Sequence, residues 1–180
     1  MLISERKKHW ETLVNQLQCE LSSIDESELQ WLQQRISLIQ VLQKNLHTLF
    51  LQAGGQDICH ACSGSCCGDG HNHMTLLNVA AALLKQQLPQ ANFSNTCPFL
   101  TRTGCSLGVT LRPFNCITFI CEQIEAHMNA EQVAEFYRLE RTLRTHYTEV
   151  DRRYAGSNPR GLLIGVQRLN GSPMLMRSIS

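Results

Sequence analysis

From Trp10 the apolar residues recur at Trp10, Leu13, Val14, Leu17, Leu21 and Ile24, in alternating steps of three and four. That spacing places them on one face of a helix. A polar run from Ser22 to Glu28 interrupts the pattern, and Ser23 with Glu26 has the spacing of a capping box opening a second helix over Asp25–Leu51. Its apolar face carries Leu29, Leu32, Ile36, Ile39, Leu42, Leu46 and Leu49, while Gln30, Gln33, Gln34, Gln40 and Gln43 read as a solvated face. Ala53, Gly54 and Gly55 end it. The short connection favours an antiparallel helical hairpin, which serves as a packing partner for the rest of the chain or as a homodimerisation face.

Glycine at 54, 55, 64, 68 and 70 makes Gly54–His73 read as loop, and Met74–Leu88 reads as a helix capped by Thr75 and stopped before Pro89. Pro98, Gly104, Gly108 and Pro113 punctuate an irregular stretch over Asn92–Pro113. A helix is predicted over Asn115–His127, with Ile117, Ile120 and Ile124 inward. A long one follows over Ala130–Tyr154, capped by Asn129 with Gln132 and burying Val133, Phe136, Leu143, Tyr147 and Val150. Beyond it, Leu162–Leu169 joined through Asn170-Gly171 to Met174–Arg177 fits a small β-hairpin, while Ser157-Asn158-Pro159 is also a helix-start pattern. The expected fold is mainly α: a helical hairpin (1–53), a helical, loop-rich cysteine-cluster region (54–128), and a long helix with a C-terminal extension (129–180), forming a single domain over residues 1–180.

Charge changes the picture little. Sixteen basic and 15 acidic residues leave a formal net charge of +1, so no global field points to nucleic acid or an anionic membrane. Arg138, Arg141, Arg144, Arg152 and Arg153 gather on the last long helix, but Glu131, Glu135, Glu140, Glu149 and Asp151 offset them. Zinc-finger-like nucleic-acid binding is therefore disfavoured. The amino terminus turns polar after three residues and no apolar run approaches a membrane span, which makes a cytoplasmic location, without membrane contact, the expectation.

Cysteine changes it a great deal. Eight of the nine cysteines, Cys59, Cys62, Cys66, Cys67, Cys97, Cys105, Cys116 and Cys121, fall within 63 residues. In a reducing compartment such density points to metal or redox chemistry instead of a disulfide framework. Cys59-x2-Cys62 is a spacing with which a tight turn grips one ion, common to zinc and iron–sulfur sites. Cys66 and Cys67 are adjacent, so their side chains tend to point apart, suggesting two coordination positions or one ligand beside a structural thiol. Cys116 and Cys121 lie about 140° apart on an ideal helix, which places Cys116 at the helix start, where the dipole favours a thiolate. His60, His71, His73 and Asp69 are optional ligands or proton carriers. Cys19, beside Leu17 and Leu21, reads as a buried apolar residue. Only Lys85, Arg102 and Arg112 are basic between Cys59 and Cys121. Two zinc ions on eight thiolates would carry about −4 and one [4Fe–4S] cluster on four about −2, which tilts the cofactor toward an iron–sulfur cluster over zinc.

These residues carry a resemblance. C-x2-C-x3-C-C at Cys59–Cys67, C-P-F-L at Cys97–Leu100, Cys105, and R-P-x-x-C-x4-C at Arg112–Cys121 resemble the YkgJ-type cysteine-cluster family of zinc- or iron-chelating domains. The resemblance covers about a third of the chain. It implies that the eight cysteines are ligand candidates and that Arg112 and Pro113 shape the last ligand loop. Ile117 stands where the family commonly has arginine, and Asn78 where it often has an acidic residue. A similar cysteine pattern occurs in flagellin lysine methylases, yet no glycine-rich fingerprint for S-adenosylmethionine follows a strand here. The reading is thus a metal-binding protein with a structural or redox role, with a metalloenzyme bearing an open coordination position as the alternative.

Overall fold

The computed structural model describes residues 3–62, 67, 74–102, 104–169 and 171–178. Among them the chain is mainly helical. The helices are α1 (Ile3–Ser23), α2 (Glu26–Gln52), α3 (Gly55–Ala61), α4 (Leu76–Leu84), α5 (Phe114–Thr118), α6 (Glu122–Glu125), α7 (Ala130–Arg153) and α8 (Leu162–Gly165). One small antiparallel sheet joins β1 (Leu100–Thr101) to β2 (Gly104–Cys105), pairing Leu100 with Cys105. No described helix is long and apolar enough to cross a membrane.

The predicted face of α1 is buried at Trp10, Leu13, Val14, Leu17 and Leu21. Cys19 is exposed, contrary to expectation. Two residues beyond Leu17, it lies about 200° round the helix from that face. The cap of α2 is Asp25, whose carboxylate accepts the Ser27 N–H at 2.9 Å. Ser23 instead closes α1, its hydroxyl bonding back to the Cys19 carbonyl at 3.2 Å. Asn129 and Gln132 form the expected capping box on α7.

α2 packs most extensively along α7, and α1 against α4, so the two N-terminal helices take different main partners. Leu46, Phe136 and Leu143 are fully enclosed between them and their neighbours. Val133 is only half-buried, and Leu139 takes its place among the inward residues of α7. Two polar residues interrupt the buried stripe of α2: Glu28 and Gln43. Gln43 is the one member of the supposedly solvated glutamine set that is fully buried, with its Nε2 donating to the Arg112 carbonyl at 2.6 Å.

Three segments depart from the predicted elements. Gly54, with φ +68°, turns the chain after α2, but Gly55–Ala61 then forms α3 and puts Cys59 on a helix instead of a loop. The predicted helix over 115–127 is two short ones, α5 and α6, separated by extended backbone at Phe119 and Cys121. The run Ile117-Thr118-Phe119-Ile120 is β-branched and aromatic, with low helix propensity. Leu162–Gly165 is helical and Val166–Arg168 forms a 3-10 turn, so the two-stranded sheet lies at Leu100–Cys105 and not at the C-terminus. The backbone of 174–178 finds other partners: Gly156 and Ala155 donate to the Met174 and Met176 carbonyls, each at 3.0 Å. Glu20 takes the N–H groups of Met174 at 2.9 Å and Leu175 at 2.8 Å.

Candidate metal centre

The cysteines reach their positions through short, locally stabilised elements. Cys97 and Cys105 are brought together by the β1–β2 turn. The Leu100 N–H bonds the Cys97 carbonyl at 3.2 Å, and both the backbone N–H and hydroxyl of Ser106 bond the Phe99 carbonyl, at 2.8 and 3.0 Å. Cys116 lies in α5, which opens after Pro113, a residue suited to a helix start because its φ is fixed. The segment feeding α5 is anchored through one carbonyl, that of Arg112. It accepts from Gln43 of α2 and, at 3.4 Å, from Asn78 Nδ2 of α4. Asn78 also forms the capping box with Thr75 and bonds the Tyr147 hydroxyl at 3.1 Å. Phe114 packs edge-on to Tyr147, their ring centroids 5.6 Å apart, and the Arg144 guanidinium lies over Phe114 at 4.8 Å.

These elements enclose an open cavity of about 1360 Å³. Five of the predicted ligands line it: Cys59, Cys67, Cys97, Cys105 and Cys116. Cys116 is open to the cavity while surrounded by protein on its other sides. That enclosure pushes its thiol up to about 12, helped by Cys105, Cys97 and Cys67 and opposed by Arg112. The expected lowering by the helix dipole does not govern this thiol, because α5 has five residues and desolvation dominates. Burial likewise raises the Cys97 thiol, with Cys105 adding to the effect. His47 on α2 also lines the cavity, its imidazole held below the ordinary histidine range by burial and then by Arg112.

The remaining predicted ligands stand elsewhere. Cys62 caps the end of α3, exposed, its Sγ 3.4 Å from the Cys59 carbonyl. Cys121 caps the start of α6, half-buried and outside the cavity wall, although α3 packs against α6. His60 lines the cavity, whereas Cys66, Asp69, His71 and His73 lie outside the described residues. Among the described residues no three of His, Cys, Asp and Glu stand close enough together to hold an ion as they are placed. The cavity therefore offers a shared thiol wall, with donor chemistry suited to zinc or iron–sulfur, and not a closed shell.

Sequence reading missed His47, Gln43 and Asn78 as neighbours of this wall. Asn78 carried a signal, since Thr75-x-x-Asn78 has capping-box spacing. His47 and Gln43 carried none, because only the packing of α2 against 109–118 brings them there. Comparison with known protein families, with curated proteins and with solved structures finds no match.

Proposed function

We propose that the chain is a metal-binding protein whose cysteine cluster chelates an iron–sulfur cluster or zinc, in a structural or redox role. The observation that carries this reading is the convergence of Cys67, Cys97, Cys105 and Cys116 on one cavity, near enough that the other three raise the Cys116 thiol. Thiolates gathered in this way repel one another, and a bound cation relieves the repulsion. Such a centre, when bound, supplies the positive charge that keeps the sulfurs deprotonated and, if iron–sulfur, an electron-transfer couple. The eight cysteines Cys59, Cys62, Cys66, Cys67, Cys97, Cys105, Cys116 and Cys121 are the ligand candidates, in keeping with the YkgJ-type spacing. Gln43 and Asn78 hold the loop that presents Cys116.

Anaerobic purification followed by elemental analysis and an absorption spectrum tests the reading. Brown protein with stoichiometric iron and sulfide supports a cluster, and colourless protein with stoichiometric zinc supports zinc. Metal-free protein of full native stability sinks both. The alternative, a metalloenzyme with an open coordination position, draws on the size of the cavity, which exceeds the roughly 300–1,000 Å³ of ordinary small-molecule sites. A spectrum of the metal-loaded protein that is indifferent to added small ligands such as cyanide or azide counts against it.

A further inference from the structure

We propose that the same cavity contains an oxyanion site at Arg112, built to take the carboxylate or phosphate group of a small molecule. Arg112 is half-buried and lines the cavity. Among the described residues it forms no salt bridge, and its side chain makes one hydrogen bond, from Nε to the Leu107 carbonyl at 3.3 Å. Among the described residues the two Nη groups have no hydrogen-bond partner. Half-buried on the wall of an open cavity, this guanidinium keeps hydrogen-bond donors that an anion entering the cavity can reach.

The group is also held in place. Its own backbone N–H bonds the Val109 carbonyl at 3.2 Å, and its carbonyl is gripped by Gln43 and Asn78. With Nε fixed on Leu107, the fork formed by the Nη groups matches the two oxygens of a carboxylate or phosphate. Burial, and then Arg112 itself, lowers the pKa of the neighbouring His47, so it competes less with the guanidinium for an anion. Arg144 adds a second positive group on the cavity wall, partly taken up by its ion pair with Glu140. The apolar wall at Phe114 and Ile117 gives the rest of such a molecule a surface to lie on. The inference stands on Arg112 and its surroundings and does not rest on the metal centre.

The test is isothermal titration of the full-length protein, as purified, with inorganic phosphate and separately with benzoate at constant ionic strength. Saturable binding of either is expected, with the two titrations separating a phosphate from a carboxylate preference. Arg112→Gln should weaken it by about tenfold or more, and Arg112→Lys, which keeps the charge but not the fork, should weaken it as well. Arg138→Gln, on the exposed outer side of α7, should bind as the unaltered protein does. No saturable binding of either anion at millimolar concentration overturns the proposal, as does equal binding by a folded Arg112→Gln. So does a pattern in which anions are ignored while Arg112→Gln changes the metal content, since Arg112 would then serve the thiolates. Metal content measured on the same samples keeps the two proposals apart: anion binding by metal-free protein upholds this one alone.

Discussion

Glu28 lies in the buried stripe of α2, where an unpaired carboxylate would be strongly unfavourable. Arg153 meets it through Nε at 2.5 Å and Nη2 at 2.7 Å, Tyr154 donates its hydroxyl at 2.7 Å, and Arg177 adds Nε at 3.0 Å. With Arg153 foremost, these donors outweigh burial and hold its carboxyl at about 2, down from 4.5. Folding lowers this pKa, so the stabilisation is complete above about 4.5 and is lost as the pH falls toward about 2. Glu28→Gln should flatten the loss of stability across that acid window and cost about 2 kcal/mol at neutral pH, the exposure of Arg177 moderating the loss. Urea midpoints measured from pH 6 down to pH 2 check this, and parallel curves for both proteins would refute it. Asn78 is a second buried polar residue with three jobs: cap, Tyr147 partner and Arg112 anchor. Asn78→Ala should cost about 2 kcal/mol through the lost cap and buried bonds, and should release metal faster to a chelator. A variant with unaltered melting and unaltered metal release would remove Asn78 from the support of Cys116.

The C-terminal segment is attached both by buried side chains, Leu162 and Met174 among them, and by close backbone approach. A Cβ at Gly156 would stand 2.8 Å from the Met174 backbone, and one at Gly165 would strike the Gly156 carbonyl. Gly165→Ala should therefore destabilise by about 1–3 kcal/mol and loosen the junction of α8 with the end of α7. Hydrogen exchange would then rise at the Gly156 and Ala155 amides, which bond across to Met174 and Met176. Unchanged protection there would show that the segment gives way without cost. This attachment bears on the site, because the Leu162 N–H bonds the carbonyl of Met74, a buried residue on the cavity wall. The short elements carrying the thiols, α3, α5, α6 and the β1–β2 turn, are each seven residues or fewer. Helices this short are not stable by themselves in water and depend on their neighbours.

Demetallation should consequently have a divided effect. Among the described residues no cysteine is fully buried in the core, where Leu46, Phe136 and Leu143 are enclosed between α2 and α7, so far-UV circular dichroism should retain most of its helical signal. Under the proposed metal-binding reading, protection in hydrogen exchange should fall at the thiol-bearing short elements between Cys59 and Cys121, with the buried α4 spared. Uniform loss of protection along the chain would contradict this division. Much of the framework was legible from periodicity: α1, α2, the start of α4 and α7 each place an apolar stripe against a core, and Asn129 with Gln132 declares its cap. The short elements were not legible, because α3 and the break between α5 and α6 obey tertiary contacts that outweigh weak local preferences. At the site, the cysteines were evident from their density alone. Which of them share a wall was not, since Cys67, Cys97, Cys105 and Cys116 come from three segments whose meeting depends on the packing of α2, α4 and α7. The sequence by itself determined a mainly helical chain with a thiol-rich region, because those properties reside in local order and composition. Only the tertiary structure decided that Gln43, Asn78 and Glu28 are buried partners and that His47 and Arg112 face the thiols, because burial and charge are properties of neighbours distant along the chain.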